Sequence, residues 1–126
     1  MDLSDLPVVD GHAHPFLVDP WAVPAAVFQQ LFTEGRPGTM DAHLAHGSYY
    51  QRALHGMAER LGVAASEPDV LDARRRAGRE TARRAFADTR LDTLLIDTGY
   101  PPTAMSLADM RQLVPCAIHE LSLIHI

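Results

Sequence analysis

The sequence predicts an α/β fold with parallel strands, and three observations predict it. Short β-branched or apolar runs stand at residues 6–10, 92–97 and 116–120. Segments with helical spacing and helix-start signals separate them. The first run meets Gly11 and the second meets Thr98-Gly99-Tyr100-Pro101-Pro102, both turn signals. Strand, helices, strand, helix, strand is the order of parallel βα units, and it fits a doubly wound sheet or a (β/α)8 barrel.

Each element has its own justification. Leu6-Pro7-Val8-Val9-Asp10 carries two β-branched valines, with Pro7 at the start, where a missing N–H costs little. Ala25-Ala26-Val27-Phe28-Gln29-Gln30-Leu31-Phe32 makes two helical turns ending near Gly35. A longer helix follows, capped by Thr39 or Asp41, with Leu44, Leu54, Met57 and Leu61 at mostly helical spacing and Gly62 to end it. Gly47 and Gly56 weaken that helix by about 1 kcal/mol each relative to alanine. Ser66-Glu67-Pro68-Asp69 opens another helix with a cap, an early proline and an acid three residues on; it is predicted to run to about Ala87. Asp92-Thr93-Leu94-Leu95-Ile96-Asp97 reads as a buried strand. Ser106-Leu107-Ala108-Asp109 repeats the cap-and-acid pattern to about Leu113, and Cys116-Ala117-Ile118-His119-Glu120 follows Pro115 as a third strand.

Composition excludes several function classes. The chain has 126 residues, 47% of them hydrophobic and 21% charged, and its net charge is −5. That is ordinary globular composition for one domain at most. All eleven basic residues are arginine. The run Arg74-Arg75-Arg76, with Arg79, Arg83 and Arg84, falls beside Asp69, Asp72 and Glu80, so local acids offset its field and no nucleic-acid partner is expected. No apolar run reaches the ~18 residues of a membrane span, and the N-terminus has no basic segment ahead of an apolar one. A cytoplasmic protein without a membrane partner is expected. Cys116 is the one cysteine, read as inert packing.

The chemistry-bearing stretch is Val8-Val9-Asp10-Gly11-His12-Ala13-His14-Pro15. Side chains alternate along a strand, so 10, 12 and 14 share a side. Two imidazoles two residues apart can then converge on one borderline divalent ion. Asp10 could orient His12 or close the turn. Asp97 could face the same place or form the turn before Thr98 and Gly99. His119 and Glu120 could line it or be strand-end polarity. His43 and His46, one helical turn apart, and His55 read as surface groups.

Val-Asp-Gly-His-Ala-His after a first strand resembles the first-strand signature of the amidohydrolase superfamily. Leu94-Leu95-Ile96-Asp97-Thr98-Gly99-Tyr100 is similar to the second-strand segment of one branch, found alone or ahead of a glutamine-synthetase domain. The long helical insertion between the two strands is typical of that branch. The resemblance covers roughly residues 5–120. It implies the N-terminal portion of a (β/α)8 TIM barrel, incomplete, with about three strands within residues 1–126. It implies His12 and His14 as ligands of a divalent metal, zinc first, with manganese or iron as alternatives. The implied activity is metal-dependent hydrolysis of amide or related carbon centres in a small-molecule substrate, with an oligomer allowed. The alternatives are a metal-dependent decarboxylase and a non-catalytic binding or regulatory module linked to glutamine-synthetase-like proteins. The later family ligands, a strand-end histidine and a late aspartate that also moves the proton, have no matching segment here, so this chain alone is expected to be an inactive fragment of an active parent.

Leu121-Ser122-Leu123-Ile124-His125-Ile126 ends the chain inside an apolar run. This predicts a truncated frame and leaves open whether the last half-dozen residues are native, so His125 is not counted as a ligand. An exposed parallel-sheet edge follows from so few strands, and with it an aggregation-prone chain.

Overall fold

A computed structural model describes residues 2, 5–33, 35–87, 89–101 and 103–121. The readings placed on residues 122–126, His125 included, lie outside the described residues. The elements run β1 (Val8–Ala13), α1 (Ala25–Gln30), α2 (Asp41–Leu44), α3 (Ser48–Leu61), α4 (Glu67–Ala77), α5 (Arg79–Ala87), β2 (Leu91–Asp97), α6 (Leu107–Met110) and β3 (Ala117–Leu121). They divide into two compact units, Met1–Pro20 with Arg79–Ile126, and Trp21–Gly78.

The first unit holds a three-stranded parallel sheet in the order β1-β2-β3. The central strand supplies the core: Leu94 and Ile96 are buried, joined by Ile118, Ala82, Met110, Leu113 and Val114. β2 and β3 pair without interruption, Thr93 opposite Ala117 through Asp97 opposite Leu121. β1 pairs with β2 irregularly, with shifts between Val8 and Val9 and between Asp10 and Ala13. Beyond β1 the chain runs antiparallel to residues 103–105, bridged at Leu17 and Ala104, with the Met105 N–H donating to the Phe16 carbonyl at 2.6 Å. Ser106 caps α6, accepting from the Asp109 N–H at 3.1 Å.

The sheet corrects the expected fold. The described residues form a small α/β domain with an open sheet and not the opening portion of a (β/α)8 barrel. A barrel closes only with eight tilted strands, each followed by a helix of the outer ring. Here three strands form, and the helix between β2 and β3 is four residues long, little more than one turn. Such a turn cannot span the strand behind it.

The second unit is helical, and glycines place its breaks. The helix expected from about residue 40 to Gly62 forms as α2 and α3, because Gly47 is extended, at φ −65° and ψ 135°. Neither Thr39 nor Asp41 caps it; Met40 holds that position, while the Asp41 carboxylate accepts from the Gly38 N–H and the Gln30 amide. Gly62 ends α3 in the left-handed conformation, and the Val63 N–H reaches back to the Ala58 carbonyl at 3.0 Å. Ser66 caps α4 as expected, but the helix stops at Gly78, where φ is 53° and ψ is −131°. A side chain is poorly tolerated there.

This unit packs around Phe28, Tyr50, Leu54, Ala58, Val70, Leu71 and Ala73. Phe28, Phe32 and Tyr50 meet edge to face, with centroids 5.2–6.0 Å apart. The Arg74 guanidinium lies 4.9 Å from the Phe28 centroid, a cation–π contact. Glu67 accepts from both the Tyr50 hydroxyl and the Gln29 amide, the latter at 2.7 Å. No sequence signal marked this network, since its partners lie 17 and 38 residues apart.

Candidate metal centre

The parallel pairing of β1 with β2 puts Ala13 opposite Ile96, so His14 follows β1 where Asp97 ends β2. The result joins two segments 83 residues apart: His14 Nδ1 lies 3.3 Å from the Asp97 carbonyl oxygen. A carbonyl only accepts, so Nδ1 carries the proton and donates. Neutral His14 then keeps an unprotonated Nε2, the form an imidazole needs to bind a metal.

Asp97 uses its two carboxylate oxygens differently. Its Oδ1 accepts from the Gly99 N–H at 2.8 Å, which makes the turn. Its Oδ2 faces His12 Nε2 at 3.6 Å. The Asp97 side chain is 17% exposed, against 57% for His12, so a sheltered carboxylate meets an open imidazole. One ligand atom from each of His12, His14 and Asp97 lies within 4.8 Å of the other two.

These residues fit a borderline divalent ion. Two imidazole nitrogens and a carboxylate oxygen suit zinc, manganese or iron, and three protein donors leave a coordination position open. Ligands at zinc distances of ~2.0–2.2 Å in a tetrahedral array stand roughly 3.4 Å apart. The 3.6 Å between His12 and Asp97 is already near that. The backbone carbonyl on His14 Nδ1 is the kind of outer partner that selects the tautomer of metal-ligating histidines, here through a long bond of 3.3 Å.

The remaining candidates stand elsewhere. The Asp10 carboxylate accepts from the His12 backbone N–H at 3.1 Å, so it holds the local chain rather than the His12 ring. Glu120 accepts from the Thr98 hydroxyl at 2.9 Å and ties β3 to the turn after β2. His119 is exposed on β3, opposite Leu95. Among the described residues, neither of these two joins the three-residue cluster, nor do His43, His46 and His55. Burial pushes the Cys116 thiol up; a backbone hydrogen bond opposes this and Asp92 adds to it, which leaves a poor nucleophile.

Sequence reasoning missed Tyr100. Its ring meets His14 edge-on, with centroids 5.5 Å apart at 76°, and His14 meets His12 at 5.0 Å and 65°. The signal was present as an aromatic inside the turn that follows Asp97.

Among the described residues, no helix is long and apolar enough to cross a membrane. No family model matches this chain, and no curated protein or solved structure matches it.

Proposed function

We propose that His12, His14 and Asp97 hold one divalent cation, zinc first and manganese or iron otherwise. On this reading the chain is part of a cytoplasmic, amidohydrolase-type hydrolase acting on amide or related carbon centres of a small molecule. One observation carries it: two histidines chosen by sequence and a carboxylate from a distant strand converge, with His14 held in its ligand tautomer by Asp97. The kinship rests on the His-x-His step after Val-Val-Asp; the barrel is no part of it.

The chain's own residues account for much of the arrangement. The Asp97 backbone sets the His14 proton on Nδ1. The Gly99 N–H turns one Asp97 oxygen away and leaves the other for His12. When bound, a cation at such a site supplies Lewis acidity, which polarises a carbonyl and makes water a nucleophile near neutral pH.

A second reading is a cation-dependent binding module without turnover. The 57% exposure of His12 favours it, because hydrolytic centres are normally shut off from bulk water.

Calorimetric titration of the full chain with zinc tests the proposal. One equivalent bound at sub-micromolar affinity, and lost in His14→Ala, supports it; uptake no tighter than in His14→Ala sinks it. Zinc-loaded chain is then assayed on nitrophenyl esters and anilides. Turnover that disappears in His14→Ala supports the hydrolase, and tight binding with no turnover supports the binding module.

A further inference from the structure

We infer that Tyr100 is a positioning residue of this centre, acting on cation affinity and ligand geometry through the His14 ring. The inference rests on the proposed function and deepens it.

His14 is exposed, so packing alone does not fix its rotamer. Among the described residues the ring makes one hydrogen bond, Nδ1 to the Asp97 carbonyl, and at 3.3 Å it is beyond the usual 2.9–3.0 Å for N–H···O. A bond that long holds a ring weakly. The Tyr100 ring supplies a second restraint, edge-on at 5.5 Å. Tyr100 lies three residues beyond Asp97 in the same turn, so one short segment delivers a candidate ligand, the acceptor for His14 and the aromatic wall beside it. Tyr100 is itself 54% exposed and contributes little to the core. An exposed aromatic with so small a packing role, set against a candidate ligand, has its effect on that ligand.

The restraint is worth the increment of an aromatic pair. Losing it frees the His14 ring to turn away from Asp97, and the cation must then select the ordered fraction. The expected loss in affinity is about threefold to tenfold.

The test uses the full chain and cobalt(II), whose visible bands report coordination geometry. Wild type, Tyr100→Phe, Tyr100→Leu and Tyr100→Ala are titrated, with circular dichroism as the check on folding. Tyr100→Phe is expected to keep both the affinity and the spectrum of wild type. Tyr100→Ala is expected to bind several-fold more weakly with shifted or weakened bands at unchanged helix content. Tyr100→Leu covers the same surface without the aromatic edge, is expected to behave as Tyr100→Ala, and stands in for it should Tyr100→Ala unfold. Wild-type affinity and spectrum in both Tyr100→Leu and Tyr100→Ala overturn the inference and leave the proposed function standing. A wild-type chain that takes up no cobalt or zinc overturns the proposed function, and the inference with it.

Discussion

Asp97 Oδ2 stands 3.6 Å from His12 Nε2, while Oδ1 of the same carboxylate accepts from the Gly99 N–H at 2.8 Å. The two oxygens can be tested apart. Asp97→Asn keeps a carbonyl oxygen for Gly99 and loses the charge. It should retain the fold by circular dichroism and bind zinc at least about 10–100-fold more weakly. Asp97→Ala loses both oxygens and should weaken zinc binding as much while also lowering the melting temperature. Equal zinc affinity in wild type and Asp97→Asn would remove Asp97 from the centre.

Gly99 bears on the same carboxylate sterically. A Cβ at position 99 would lie 3.1 Å from Asp97 Oδ1, closer than ordinary van der Waals contact. In Gly99→Ala the carboxylate must give way by a few tenths of an ångström. A several-fold loss in zinc affinity is expected with little change in thermal stability, read by parallel titration and melting. A melting loss with unchanged affinity would mean that the turn, not the ligand, feels the methyl.

The strands were legible because they are short-range features. β-branched and apolar runs bounded by turns placed β2 and β3 within one residue, while β1, expected at residues 6–10, forms at Val8–Ala13. Ser66 and Ser106 were legible as caps because the acid three residues on lies within the same turn. The breaks at Gly47 and Gly78 were not, since a glycine inside a helical run costs only about 1 kcal/mol and packing decides whether the helix continues. The barrel expectation failed for the opposite reason: a signature in one strand is local, whereas closure depends on every strand and helix. At the candidate centre, the closeness of His12 and His14 could be read from a spacing of two. Asp97 stayed open between turn and site because its proximity to His12 depends on sheet register across more than eighty residues.

The outer edge of β1 carries a solubility consequence. Among the described residues β1 pairs with β2 alone, and Val9 is 56% exposed on it. An edge strand with exposed valines is a template for pairing with other chains, and natural edges counter this with lysine. Val9 is more than half exposed, so Val9→Lys gives up little buried apolar surface. It should raise the protein concentration at which light scattering sets in and leave the circular dichroism spectrum unchanged. Scattering that begins at the same concentration would place the aggregating surface elsewhere.

Tyr50 links the helical unit's stability to alkaline pH. It is 3% exposed, its ring packs on Phe28 and Phe32, and its hydroxyl donates to Glu67. Burial first, then the hydrogen bond and the negative charge of Glu67, push its phenol well above the usual tyrosine range. The folded chain therefore holds this proton at a pH where the unfolded chain, with a phenol near 10, releases it. Stability from this group is complete below about pH 10 and is lost as pH rises beyond it, because the unfolded state then binds fewer protons. Tyr50→Phe keeps the ring contacts and removes both the bond and the titration. At neutral pH it should cost about 1.5–3 kcal/mol, as for a hydrogen bond to a charged group. Between pH 10 and roughly 11.5 the wild type should lose stability faster than Tyr50→Phe, so the gap between their denaturation midpoints narrows. Parallel midpoint curves across that interval would mean that the Tyr50 proton is not held by the fold.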